Sequence, residues 1–285
     1  MDLLVLARPD DDLTELLPVL EARAEVTLAR TSTADSLAEA LTAAPSVVVV
    51  AGGDGTMHAV ISALHDLDRL ASTTVGLVPL GTGNDFARGV GIPLDPAEAA
   101  AVVLAGRTCP MDVLLDDVGG LVVNSVHAGA GADAAKRGEW WKKHLGKIGY
   151  PIGALLTALS PPTLRLSVDV DERAMYSGGA DVLQVAIGNG PQVGGGTSLV
   201  PTADPSDGLI DVIVSTPVGL LRHLGYARDL VLGRHHRRAD VAHQRGRSVR
   251  VSGEEFWCST DGEIEGPMRR RTWTVSPSAY RLLVP

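Results

Sequence analysis

Two glycine-rich stretches carry the residues best suited to chemistry. The first, Gly52-Gly53-Asp54-Gly55-Thr56, directly follows the β-branched run Val47–Val50 and Ala51. The second, Gly81-Thr82-Gly83-Asn84-Asp85, follows the apolar segment Val75–Pro79 and Leu80. Glycines between a strand end and a helix start let backbone N–H groups approach an anion closely, and phosphate suits such a cradle. Asp54 sits among those donors. A bare carboxylate beside phosphate repels it, so Asp54 makes sense with Mg²⁺, or water on Mg²⁺, between the two. Asn84 and Asp85 can hydrogen-bond a nucleotide or cap the following helix. A single such stretch reads equally well as a tight strand-to-helix turn. Two of them after successive strands, on the edge where α/β sheets take ligands, favour a binding site.

Other motifs exclude as much as they suggest. Neither loop is a Walker A sequence, which needs G-x-x-x-x-G-K-[ST]. His127-Ala128-Gly129-Ala130-Gly131-Ala132-Asp133-Ala134 reads G-x-G-x-x-A after a strand, but no βαβ unit follows, which argues against a dehydrogenase. Asp261-Gly262-Glu263 on its own is a hairpin turn signal. Cys109 and Cys258 make neither a disulfide framework nor a metal pair. His235 and His236 are adjacent, so on a helix they do not face one metal, and they read as surface residues.

The elements that must position these loops alternate in type. Leu3–Ala7, Glu25–Ala29, Val47–Ala51 and Val75–Pro79 read as strands. Asp12–Ala22, Thr33–Ala43, Thr56–Leu64 and Pro96–Leu104 read as helices, with Thr33 or Asp35 as a cap. This order predicts an open parallel α/β sheet over residues 1–112. From residue 113 to 277 the pattern changes to short strands at Leu121–Val126, Thr163–Val170, Val182–Ile187, Leu209–Val214, Ser248–Val251, Glu255–Ser259 and Thr272–Ser276. A β-rich second domain, a sandwich, is the expectation, interrupted by helices at Lys136–Leu159 and Pro217–Leu232.

Composition sets the limits. The chain has 285 residues, 45% hydrophobic and 21% charged, with a formal charge of −9. Its apolar runs are too short to cross a bilayer as helices, and its N-terminus makes a poor secretory leader. Residues 1–112 hold six arginines, no lysine and 16 acids. Residues 222–250 hold eight arginines and four histidines against two aspartates. An acidic front with a local basic patch argues against nucleic acid as a partner and leaves room for an anionic lipid surface. The arginine run reads equally as a solvated helix face. Trp140-Trp141-Lys142-Lys143 with Ile152–Leu159 suits a membrane-docking face or a core helix tipped with lysine.

The motifs together resemble the diacylglycerol kinase catalytic-domain family, which includes bacterial lipid kinases and sphingosine kinases. The resemblance rests on GGDGT at 52–56 and PLGTGNDFAR at 79–88. It continues in VVNSVHAGAGADA at 122–134, GNGPQVGGGTSLVPTADPSDGLIDVIV at 188–214 and DGE at 261–263. Two departures stand out. The family's early N-P-x-S-G loop is replaced by Arg8-Pro9-Asp10-Asp11-Asp12, with Arg8 as a substitute cation, and the family's glutamate after GGDGT is Ala59.

The resemblance implies a phosphofructokinase- and NAD-kinase-like α/β domain plus a β-sandwich, with Tyr280–Val284 (within 278–285) returning to the first domain. It implies ATP and Mg²⁺ as cofactors, with Gly52, Gly53, Gly55 and Thr56 on the phosphates and Gly81, Thr82, Gly83, Asn84 and Asp85 as the second nucleotide loop. Asp54 and Asp112 would belong to the network of the catalytic metal and its waters. Asp261 would be the base for a lipid hydroxyl and Glu263 its partner. A structural Mg²⁺ would take the Asp207 carboxylate and main-chain oxygens of Asp204 and Leu209. The implied activity is a cytoplasmic, peripherally membrane-associated kinase of a lipid alcohol, diacylglycerol first. A soluble-acceptor kinase of NAD-kinase type and a catalytically weak lipid- or nucleotide-binding relative are the alternatives. A homodimer is compatible with the family's habit.

Overall fold

The computed structural model describes residues 2–42, 46–129, 163–217 and 219–285. Strands β1 (Asp2–Ala7), β2 (Glu25–Arg30), β3 (Val47–Gly52) and β4 (Thr74–Pro79) form a parallel sheet in the order β2-β1-β3-β4. Val48–Ala51 are fully buried, as expected of a central parallel strand covered on both faces. The covering helices are α1 (Leu17–Glu21), α2 (Ala34–Thr42), α3 (Asp54–Asp66), α4 (Asp85–Gly89) and α5 (Pro96–Ala105). On α3 the buried residues Met57, Val60, Ile61 and Leu64 fall on one helical stripe against the sheet.

Helix α1 starts later than its apolar spacing predicts. Asp12 accepts from the Thr14 amide (3.0 Å) and hydroxyl (2.6 Å), a local turn that competes with helix, and Pro18, in the first turn of α1, has no amide to donate back to the preceding turn. Thr33 does cap α2, accepting from the Ser36 amide at 3.2 Å.

The second half is antiparallel. Strands β5 (Thr108–Asp116), β6 (Leu121–Val122), β7 (Ser125–Gly129), β8 (Leu166–Val170), β9 (Arg173–Ser177), β10 (Gln184–Gly188), β11 (Gln192–Val193), β12 (Thr197–Ser198) and β13 (Ile210–Ser215) come first. Helix α6 (Leu220–Val231), β14 (Val241–Gly246), β15 (Ser248–Thr260) and β16 (Glu263–Leu283) follow. The arginine-rich stretch is therefore not one solvated helix face: it spans α6, a 3₁₀ turn at His235–Arg237 and β14. The expected strands Ser248–Val251 and Glu255–Ser259 are one strand with register shifts, as are Thr272–Ser276 and the returning segment within β16.

Two cores meet inside β5. Met111 and Val113 pack with the α/β helices, whereas Leu114 packs with the sandwich residues around Phe256 and Trp273. Strand β16 spans both. Its first part pairs with β15, and Arg281 and Leu282 pair in parallel with Thr74 and Val75 of β4. No helix among the described residues is long and apolar enough to cross a membrane.

Candidate active site

The two glycine loops touch. A Cβ built on Gly81 would lie 2.6 Å from the Gly53 Cα, and one built on Gly53 would lie 2.9 Å from the Gly81 Cα. Real Cβ atoms do not come so close, so glycine at both positions is what lets the turns after β3 and β4 pack against each other. Asp54 then fastens them, accepting from the Asp85 amide (3.0 Å) and the Phe86 amide (2.9 Å).

This arrangement divides the work between the loops. The amide end of α4 is already occupied by Asp54. Helix α3 instead begins at Gly53, extended and without a side-chain cap, so the start of this 13-residue helix keeps amide donors for an anion. The Arg8 guanidinium lies over this end, with Nη2 3.8 Å from where a Gly55 Cβ would stand. It thus places a cation beside the amides that start α3.

Asn84 and Asp85 neither cap α4 nor point free. Asn84 has a left-handed backbone and folds onto Gly81, accepting from its amide (3.0 Å) and donating to its carbonyl (2.7 Å). The Asp85 carboxylate accepts from the amides of Gly195 (2.9 Å) and Gly196 (2.6 Å), in the turn joining β11 and β12. Both side chains shape the loop instead of presenting groups to a nucleotide.

Asp112 is 1% exposed. Its carboxylate accepts from the amides of Gly208 and Ser278, both at 2.7 Å. The resemblance implies a place beside a metal's waters. The burial and these bonds make it a clasp between β5 and two crossings of the second half.

Asp261 lies in the turn between β15 and β16. Its carboxylate accepts from the amides of Val123 (2.7 Å), Asn124 (2.9 Å) and Ser125 (2.8 Å). Burial pushes its proton affinity above the ordinary carboxylate range, while the three amides and His58 pull it back. One oxygen, Oδ2, lies 4.0 Å from His58 Nε2, which is itself 3.0 Å from the Leu121 carbonyl oxygen. The titratable neighbour beside Asp261 is thus His58, not Glu263, which is exposed and faces the cleft. His58 was not singled out from the sequence. Its signal was the spacing: Asp54 and His58 are four apart on α3 and share one face.

A cleft of about 840 Å³ is lined by Arg8, Gly55, Thr56, His58 and Glu263, among others. The open end of α3, the cation and the margin of the Asp261 pocket therefore border one space. Tyr280 is buried nearby, its phenol pushed up by burial and then by the charges of Asp261 and Asp112.

Residues resembling a structural Mg²⁺ site do not fit a cation. The Asp207 carboxylate pairs with Arg245 Nη2 and accepts from the Leu209 amide at 3.0 Å. The Asp204 main-chain oxygen, the ligand the resemblance implies, accepts from the Asp207 amide at 3.4 Å. A guanidinium already holds the charge that a metal would neutralise. His235, expected at the surface, is fully buried, with Nε2 2.8 Å from the Leu199 carbonyl oxygen. The segment with Trp140-Trp141-Lys142-Lys143 and Ile152–Leu159 lies outside the described residues.

Comparison with known proteins agrees with this architecture. Residues 7–115 match the diacylglycerol kinase catalytic domain, and residues 124–284 match the YegS C-terminal NAD kinase beta sandwich-like domain. A Pseudomonas putida protein described as "probable lipid kinase YegS-like" is 40% identical over 198 residues, covering 66% of this chain and 63% of that protein. The match thus spans less than two thirds of that relative's length. A Pseudomonas aeruginosa protein of the same description is 37% identical over 258 residues, covering 87% of this chain and 79% of the relative. The crystal structure of a diacylglycerol kinase from Bacillus anthracis superposes with a TM-score of 0.76 at 21% identity, covering 100% of this chain and 97% of that one. An α/β domain and a β-sandwich, joined through β5 and β16 and matched end to end by these two domain families, place the chain in the diacylglycerol kinase catalytic-domain family, in its YegS-like branch.

Proposed function

We propose that the chain is an ATP- and Mg²⁺-dependent kinase that transfers the γ-phosphate to the hydroxyl of a lipid alcohol, with diacylglycerol the first acceptor to test. The observation that carries this reading is the shared cleft. An uncapped helix start and Arg8 border it on one side, and the His58 margin of the Asp261 pocket borders it on the other. Phosphoryl transfer is largely positioning and charge stabilisation, which such a site can supply. The α3 amides and Arg8 hold the phosphates. Asp54 keeps the two glycine loops in register, and its unused lone pairs suit waters on Mg²⁺, which when bound would offset the phosphate charge. Asp261 Oδ2 accepts only one amide, so it is the atom with a lone pair left for the acceptor hydroxyl's proton. Glu263 faces the cleft where the acceptor would enter. The family membership supports a kinase at this site.

The test is transfer of labelled γ-phosphate to a panel of lipid alcohols in mixed micelles, with Asp54→Ala as the control. Labelling of one lipid class, lost in the control, is expected. Labelling of NAD in place of every lipid would move the reading to the soluble-acceptor alternative, and ATP binding without transfer would move it to a binding protein.

A further inference from the structure

We infer that the outer face of α6 is a docking surface for an anionic lipid bilayer. Seven large apolar residues are exposed among the described residues, and five of them, Leu220, Leu221, Leu224, Val231 and Leu232, lie on this helix and its C-cap. Leu221 is 85% exposed and Val231 82%. At about 100° per residue these five fall within a sector of about 120°, with Arg228 inside it. The helix is therefore apolar on the side that meets solvent, the reverse of an ordinary surface helix.

The inner face shows that the helix is firmly seated. Tyr226 is buried and its hydroxyl accepts from Ser215 Oγ at 3.0 Å. Arg238 donates to Asp229 at 2.9 Å and to Asp240 at 2.8 Å, locking the C-terminal half onto β14's lead-in. The exposed leucines are thus not waiting to turn inward.

Charge selects the occupant. Residues 219–240 contain five arginines and two aspartates, and both aspartates are paired with arginine. Arg222, Arg234 and Arg237 form no ion pair among the described residues. The whole chain carries −9, so this surface is a basic island on an acidic protein. Apolar side chains flanked by guanidinium groups match the acyl boundary and the phosphates of an anionic leaflet. A second copy of the chain fits less well, because a two-fold contact would bring the same basic patch against itself.

The surface is also linked to the site. The 3₁₀ turn after α6 holds Leu199 through His235, and a Cβ on Gly233 would stand 3.6 Å from Ser198 Cβ. That strand, β12, continues from the Gly194–Gly196 turn that Asp85 grips. The seat of α6 is thus connected through β12 to the turn that Asp85 of the second glycine loop holds.

The inference rests on the lipid-kinase reading for its purpose, but its test needs no turnover. The full chain is sedimented with vesicles of phosphatidylcholine containing 30% phosphatidylglycerol and with vesicles of phosphatidylcholine alone. Binding to the anionic vesicles is expected to exceed binding to the neutral ones. The L221S/V231S variant should bind about tenfold more weakly. The R234Q/R237Q variant should lose roughly 25-fold on anionic vesicles, about fivefold per arginine, and little on neutral ones. Both variants should keep the parent's melting temperature and its turnover on a micellar acceptor. Parent-like vesicle binding by both variants overturns the inference, as does a parent that ignores anionic vesicles. A self-association abolished by L221S/V231S, with no vesicle binding, assigns the face to a second copy instead. Vesicle binding lost in these variants of a protein that phosphorylates no lipid would retain the surface and remove only the kinase reading.

Discussion

Replacing Gly81 by alanine tests whether contact between the two glycine loops builds the site. Gly81 is outside the left-handed region, so alanine meets no backbone penalty there. The cost is contact alone. Its Cβ would stand 2.6 Å from Gly53 Cα and 2.8 Å from Asn84 Oδ1. An ordinary carbon–carbon contact needs about 3.5 Å, so the loops must separate by roughly 0.9 Å or the Gly81–Asn84 turn must open. Overpacking of this kind costs about 1–3 kcal/mol. For a chain of this size that lowers the melting temperature by roughly 2–5 °C. The same shift would stretch the two bonds from Asp54 to the Asp85 and Phe86 amides. A misplacement near 1 Å costs on the order of 100-fold in rate. Gly55→Ala is the internal comparison, since its Cβ would meet only Arg8 Nη2, at an ordinary 3.8 Å. It should melt with the parent even if ATP binding weakens through lost approach to phosphate. The assays are thermal unfolding and calorimetric titration with ATP·Mg²⁺. Equal melting temperatures for Gly81→Ala, Gly55→Ala and the parent would refute the reasoning, because nothing then depends on the loop contact.

Asp261→Asn should abolish turnover by about 10²–10⁴-fold and also lower stability, because an amide NH₂ must face a backbone N–H donor in that three-amide nest; parent-like lipid phosphorylation would remove Asp261 as base. Burial raises the Asp261 proton affinity, so the acid limb of kcat/KM should lie above the pH of an ordinary carboxylate, and His58→Ala should move it to still higher pH by removing an imidazole that, when protonated, favours the carboxylate. The stability contribution runs the other way: with the folded value above the unfolded one, this group's contribution to stability grows as the pH falls through that interval, which urea unfolding against pH measures. Arg8→Ala should weaken ATP·Mg²⁺ binding about two- to fivefold and flatten its salt dependence, read by titration at two ionic strengths. EDTA should leave the melting temperature unchanged in the parent. Arg245→Ala should lose about 1–3 kcal/mol, less than a fully buried pair because Arg245 is 38% exposed, and added Mg²⁺ should restore part of it.

Much of the first half was legible because parallel strands covered on both faces write themselves as unbroken apolar runs, as in Val47–Ala51. The β-rich second half was legible in class and less so in detail. Strand β14 carries His243, Gln244 and Arg245, and β9 carries Arg173, Tyr176 and Ser177; neither shows the apolar alternation that marks a half-buried strand. They are held by pairing to β13 and β8, long-range contacts that no local window contains. His235 was misjudged because adjacency to His236 says nothing about a 3₁₀ turn that sends one ring inward. Asp54 and Asp85 are readable as acids at glycine-rich helix starts and Asp261 as an acid in a hairpin turn, whereas Asp112 sits within β5 and stands out only through the family resemblance. What each carboxylate accepts is not readable, since every partner amide except those of Asp85 and Phe86 lies in the other half or across a crossing strand.

That last point gives the site its logic. Asp85 reaches from the first half to the Gly195–Gly196 turn, Asp261 reaches from the second half's hairpin to Val123–Ser125 after β5, and Asp112 holds Gly208 and Ser278. Each is a charge-assisted set of bonds to backbone amides, stronger than neutral ones and intolerant of Asn or Ala. Asp85 and Asp112 are thus also fasteners between halves, whereas Asp54 and Asp261 fasten loops within one half each. A substitution at any of them changes both how the bonded segments sit and what the cleft presents. Activity loss alone therefore cannot separate a catalytic acid from a clasp; Asp112, 1% exposed, should lose stability at least as much as turnover, whereas the exposed Glu263 should lose turnover without stability.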